Sequence, residues 1–126
     1  MKKLFSLMIM VVAFMTMAVG FIAQAYEYKQ VQAYHILVPT EAKALEIKKE
    51  IGEGINRMQT FNNFREAAKK YSQCPSGRDG GMLGWFSVGD MVKPFEEAAF
   101  TQLNGTVSEP VKTQFGWHLI YVSAKK

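Results

Sequence analysis

Val31-Gln32-Ala33-Tyr34-His35-Ile36-Leu37-Val38, followed by Pro39 and Thr40, is the stretch on which the fold turns. It is rich in β-branched and aromatic residues and predicts a strand. Side chains alternate across a strand, so Ala33, His35 and Leu37 share one face and Tyr34, Ile36 and Val38 the other. Pro39 ends the strand, and Thr40 offers an N-cap for a helix.

Downstream, apolar residues fall at Ala44, Ile47, Ile51, Ile55 and Met58, in steps of three and four that fit one helical face. Gly52 and Gly54 weaken its later turns, so the helix frays or stops there. A second helix is expected after Asn63, with Glu66 in capping-box position and Phe64, Ala67, Ala68 and Tyr71 as its buried stripe. Cys74 to Gly84 reads as a loop, because its four glycines imply positive φ angles or close backbone approaches. Met82 to Val88 predicts a short strand. Pro94 suits the first position of a third helix, Glu96 and Glu97 its positive N-terminal end, and Phe95, Ala98 and Ala99 its inner face. Val107 to Lys112 reads as an edge strand, since Pro110 cannot donate to a ladder. Gly116 to Ser123 is the last strand, with His118, Ile120 and Val122 on one face and Trp117, Leu119 and Tyr121 on the other. This order predicts an α+β domain around a small, four-stranded, mostly antiparallel sheet with three to four helices.

With 126 residues, 48% of them apolar, the chain holds one globular domain at most. Residues 1–25 read as an export signal: Lys2 and Lys3, an uncharged apolar run from Leu4 to Ile22, then Ala23-Gln24-Ala25 as a cleavage site. The competing reading is an uncleaved membrane anchor through residues 4–22. Residues 26–30 form a short tether and residues 31–126 the domain. The expected location is therefore periplasmic or secreted, with membrane attachment only if the segment is retained. Loss of Lys2 and Lys3 lowers the net charge from +4 to +2, too little to argue for nucleic acid or an anionic surface. Cys74 is the single cysteine, which excludes an internal disulfide.

No Walker loop, Rossmann glycine pattern or Cys-x-x-Cys pair is present, and two histidines with one cysteine make no recognisable metal site. What remains is a series of motifs: His35-Ile36-Leu37-Val38; Ser72-Gln73-Cys74-Pro75-Ser76-Gly77; Gly80-Gly81-Met82-Leu83-Gly84-Trp85-Phe86; Gly89 to Phe100, with Lys93-Pro94-Phe95-Glu96; and Gly105 to Val111 running into Thr113-Gln114-Phe115-Gly116-Trp117-His118. In order and spacing these resemble the parvulin family of peptidyl-prolyl cis-trans isomerases over about Ala33 to Val122. The resemblance implies a pocket for the proline ring formed by Leu83, Met91 and Phe95. It implies His35 and His118 as a central pair on adjacent strands, Cys74 as the polar residue beside the prolyl bond, and Thr113 as a hydroxyl partner of the histidines. Phe115 stands where some relatives have a small polar residue, so no polar role is carried to it. Pro39 to Lys43 lacks the arginine cluster of phosphate-directed relatives, and Gly52 to Thr60 is longer than in compact ones.

Isomerisation breaks no bond and calls for neither cofactor nor metal. The expected partners are proline-containing unfolded or extended polypeptides, and the expected mechanism is non-covalent, with Cys74 acting through its field rather than as a nucleophile. The main rival is a non-catalytic chaperone module using the same groove; a thiol hydrolase built on Cys74 and His118 is a third reading.

Overall fold

The computed structural model describes residues 26–126. The export-signal reading of residues 1–25 lies outside them. The elements are β1 (Gln30–Val38), α1 (Glu41–Ile51), α2 (Arg57–Tyr71), a 3-10 turn (Pro75–Asp79), β2 (Met82–Ser87), α3 (Lys93–Thr101), β3 (Val111–Thr113) and β4 (Gly116–Lys125). One sheet runs β2-β1-β4-β3, every pair antiparallel.

The alternation read from β1 and β4 sorts the two sheet faces. Tyr34, Ile36, Val38, Leu119 and Tyr121 pack under α1 and α2 against Ala44, Ile47, Ile51, Phe64, Ala67 and Ala68. On the other face, Val31, Ala33, Ile120 and Val122 meet Phe86 and the Phe95, Ala99 and Phe100 side of α3. Burying each large apolar side chain contributes roughly 1.5–3 kcal/mol, so a sheet covered on both faces supplies the core of a domain this small. Of residues 26–30, read as a tether, Gln30 instead opens β1, and Tyr26 lies on this second layer, stacked on Phe100 at 4.7 Å between ring centroids.

Two helix expectations are corrected. Gly52, at φ 63°, caps α1, so Ile55 and Met58 are not on its buried face but 91% and 64% exposed. The second helix begins at Arg57, not after Asn63. Asn56 is its N-cap and accepts from the Gln59 amide at 3.0 Å. Asn63 instead sits within α2 and donates to the last carbonyl of α1, that of Ile51, at 3.2 Å, while Glu66 pairs with Lys69 on the surface. The expected Val107–Lys112 strand is interrupted: Val107 makes an isolated bridge to Tyr121, and the ladder resumes only at Val111, past Pro110.

A bulge shapes the edge nearest the candidate site. Ala33 faces Gly84 and Tyr34 faces Met82, which leaves Leu83 as the extra residue. An unpaired residue escapes strict alternation, and here it turns Leu83 toward the Phe95 layer. Next to it Gly81 has φ +85° and approaches β1 so closely that a Cβ would stand 2.4 Å from the His35 carbonyl oxygen. Gly84 has a similar φ, +73°, but no atom within 4 Å of a would-be Cβ. Gly84→Ala is therefore expected to lose about 1 kcal/mol from backbone strain alone, and Gly81→Ala about 3 kcal/mol because the His35 backbone must also move. Urea unfolding of the two variants checks this; equal losses would contradict it.

Candidate active site

The site is assembled on the sheet face that carries α3. In the β1–β4 ladder His35 faces Ile120 and His118 faces Leu37, so the two imidazoles are diagonal neighbours on one face. Their Nδ1 atoms lie 3.0 Å apart. Both residues are buried, at 6% and 4% exposure. Thr113 on β3 brings its Oγ1 within 2.7 Å of His118 Nε2, and the Phe115 amide donates to the same oxygen at 3.1 Å. At the other end, His35 Nε2 lies 3.1 Å from Ser76 Oγ, which donates to Cys74 Sγ at 3.3 Å.

Cys74 reaches this chain because the residues after α2 are latched to β1. The Leu37 amide donates to Ser72 Oγ at 3.1 Å, the Gln73 amide donates to the Leu37 carbonyl at 2.8 Å, and the Cys74 amide also reaches Ser72 Oγ. Pro75 then opens the 3-10 turn, which returns Ser76 toward His35.

Burial, then the facing His118, lowers the His35 pKa to about 4, and burial lowers that of His118 to about 4. Both rings are therefore neutral near pH 7. One proton must lie between the two Nδ1 atoms, and this leaves two consistent arrangements. If His35 carries it, Ser76 gives its one hydroxyl proton to His35 Nε2 instead of to Cys74, and His118 Nε2–H donates to Thr113. If His118 carries it, Thr113 donates to His118, His35 Nε2–H donates to Ser76, and Ser76 donates to Cys74. The two imidazoles and their hydroxyl partners form a polar line without net charge whose direction can reverse between Ser76 and Thr113.

Beside it lies the apolar group. Phe95 in α3 is 3% exposed and stands nearly perpendicular, at 81°, to both imidazoles, with centroids 5.6 Å from His35 and 5.2 Å from His118. Leu83 from the bulge and Met91 from the β2–α3 connection are half-buried and pack on the same cluster. All seven residues singled out from the sequence thus fall in one region: His35, His118 and Thr113 in direct contact, Cys74 joined through Ser76, and Leu83, Met91 and Phe95 alongside. Ser76 is a further member that the resemblance does not name. Its signal was a hydroxyl two residues after Cys74, following the proline that starts the turn.

Comparison with known proteins agrees with this geometry. Residues 35–124 match the family described as Rotamase, the PPIC-type PPIase domain. The chain is 46% identical over 98 residues to the foldase protein PrsA of Geobacillus kaustophilus, which covers 77% of this chain and 32% of that protein. It is 47% identical over 93 residues to the putative peptidyl-prolyl cis-trans isomerase Cbf2 of Campylobacter jejuni, covering 72% and 34%. It thus spans about a third of the length of the curated relatives it matches. The solution structure of NmPin, the parvulin of Nitrosopumilus maritimus, superposes with a TM-score of 0.62 at 38% identity, covering 76% of this chain and 97% of that one. With the family's pattern matched over most of the chain and the same fold beneath it, this protein belongs to the PPIC-type, or parvulin, family of peptidyl-prolyl cis-trans isomerase domains.

Proposed function

We propose that this chain accelerates rotation about X-Pro peptide bonds in unfolded or extended polypeptides, without a covalent intermediate. The observation that carries the reading is the hydrogen-bond chain from Cys74 to Thr113, with its two histidines neutral, lying against the Leu83, Met91 and Phe95 cluster.

The barrier to be lowered is about 18–20 kcal/mol and comes from C–N double-bond character. A dry, apolar pocket disfavours the charge-separated planar amide relative to the twisted one, which has lost that resonance. Leu83, Met91 and Phe95 hold the prolyl ring. The polar chain supplies a hydrogen-bond partner whose polarity can follow the carbonyl as it turns. A turnover of about 10–1,000 per second needs only roughly 3–7 kcal/mol from these two effects together.

Lys43 is the only basic residue in the Pro39 to Lys43 stretch, and it is already engaged, 3.7 Å from Glu46 and over the Tyr71 ring. That supports substrates without a phosphate before the proline. The apolar run 4–22, with the foldase and chaperone relatives, supports exported polypeptides as clients. The proteins whose solved structures resemble this chain include SurA-like chaperones of Campylobacter jejuni, which supports unfolded polypeptides as clients.

The test is cis-to-trans relaxation of short Ala-X-Pro-Phe peptides, with X varied, measured on wild type and Cys74→Asp. Clear acceleration by wild type, with Cys74→Asp keeping at least about a tenth of it (a loss within ~1.4 kcal/mol), is expected for a group that acts through its field. Complete loss in a folded Cys74→Asp protein would argue for attack by the thiolate. No acceleration by wild type for any X would leave the chaperone reading.

A further inference from the structure

One buried charge takes no part in the chemistry above. Glu96, in the first turn of α3, is 4% exposed. A helix N-terminus favours an acid there, but it does not explain burial. A carboxylate withdrawn from water keeps its charge only where hydrogen bonds replace hydration. Here two donors do so: the Gly89 amide reaches Oε1 at 2.6 Å, and the Tyr26 hydroxyl reaches Oε2 at 3.2 Å.

Gly89 belongs to the short connection from β2 to α3 and stands two residues before Met91. The connection is tied internally as well: Asp90 Oδ2 accepts the Ser87 amide at 2.8 Å, and the Asp90 amide donates to the Ser87 carbonyl at 3.1 Å. Those bonds shape the turn but do not fasten it to the body of the domain. Glu96 does, because α3 is packed on the sheet through Phe95, Ala99 and Phe100. Tyr26 is itself fixed by stacking on Phe100 at 4.7 Å. Burial, and then the adjacent Glu96 carboxylate, push its phenol above the ordinary value, so it remains a donor.

We propose that Glu96 is a positioning residue for the proline pocket: its carboxylate holds the Gly89 amide and thereby sets where Met91 stands against Phe95, with Tyr26 fixing the carboxylate's orientation. Its kinetic consequence rests on the isomerase reading above, whereas its geometric consequence in the peptide-free protein does not. Without the carboxylate, Gly89 N–H loses its partner and the connection is released from α3. Met91 then no longer closes on the ring, so substrate affinity falls. The histidine chain is untouched, so rotation of a seated substrate slows only as far as water reaches the loosened pocket, and most of the loss falls on binding.

The test uses Glu96→Ala, Glu96→Gln and Tyr26→Phe. Glutamine is the conservative variant, since it keeps an oxygen for Gly89 and presents an amide to the Tyr26 oxygen. The Gly89 amide and Met91 methyl signals are recorded by NMR in the free protein, and KM and kcat are then measured on folded material. In Glu96→Ala both signals should move and KM rise about tenfold, with kcat within about twofold. Glu96→Gln should recover most of the loss, and Tyr26→Phe should raise KM about two- to threefold. Should Glu96→Ala not fold, the Gln and Phe variants decide on the same readouts. Unmoved Gly89 and Met91 signals in folded Glu96→Ala overturn the proposal, as does a fall in kcat at unchanged KM, which would place Glu96 in the chemistry. If the wild type proves not to be an isomerase, the two signals alone still decide the matter.

Discussion

Phe95→Leu and Met91→Ala should each lower kcat/KM for a prolyl peptide at least about tenfold, and Phe95→Ala about a hundredfold, or ~2.7 kcal/mol of transition-state stabilisation. Phe95 does three things at once. It is a buried core side chain, it lies 6.1 Å from Phe86 between ring centroids, and its ring stands nearly perpendicular to both imidazoles. Truncation to alanine is therefore ambiguous, because opening such a cavity costs about 3–5 kcal/mol of stability, a large share of a domain's total. Phe95→Leu separates the roles: it keeps most of the apolar volume but removes the flat ring. Met91 separates them further, since it is half-buried and its loss exposes little core. Kinetics at a temperature well below each variant's unfolding transition, with fold checked by circular dichroism, give the result. Folded Phe95→Leu and Met91→Ala with wild-type kcat/KM would mean that the cluster is core and not pocket.

Acidification should unfold the domain ahead of its carboxylates. In the folded state His35 and His118 titrate near 4, against about 6.5 in the unfolded chain. Between those values the unfolded state binds more protons, so stability rises with pH. The contribution is complete above pH 6.5 and is lost progressively as pH falls toward 4. For His35 it is on the order of 2–3 kcal/mol, with His118 acting in the same direction. Urea midpoints from pH 7.5 to 4.5 should fall accordingly, and His35→Gln should flatten the dependence. Over pH 6.5 to 8, by contrast, kcat/KM should be level, because neither ring changes charge there. Stability that holds constant or grows on acidification would contradict the buried neutral pair.

How much of this was legible in the chain depended on which physical signal each feature leaves. β1 and β4 are clear because both faces are buried through their middles and the alternation is unbroken from Ala33 to Val38 and from Trp117 to Val122, so His35 and His118 fall on one face from sequence alone. The Gly52 stop was visible through its backbone freedom. The α2 start was not, because Asn63-x-x-Glu66 and Asn56-x-x-Gln59 carry similar capping patterns. Tertiary contact decides between them, since Asn63 is wanted at the end of α1. Ile55 and Met58 continued the spacing of α1 and were assigned to its buried face, but periodicity counts positions and cannot show that the helix has ended.

Within the site, resemblance supplied what periodicity could not. Strict alternation puts Leu83 on the face opposite Gly84, and only the bulge, a pairing event between distant strands, brings it to the Phe95 layer. Ser76 was missed because its role depends on the latch between Leu37 and Ser72 to Gln73, which no local pattern encodes. Glu96 was assigned correctly to a helix N-terminus, where an acid usually sits in water. Its burial comes with Tyr26, which lies 70 residues earlier in the chain, donates to its carboxylate and stacks on Phe100.

The most direct test of the account is two-dimensional exchange spectroscopy on a short X-Pro peptide with a catalytic amount of the protein. Uncatalysed exchange takes tens of seconds or longer and gives no cis–trans cross-peaks on a mixing time of a fraction of a second. The account predicts that wild-type protein brings up those cross-peaks and that Met91→Ala, folded and at the same concentration, weakens them about tenfold. Cross-peaks absent with folded wild type, across peptides differing in the residue before proline, would contradict it and leave a groove that holds its clients without turning them.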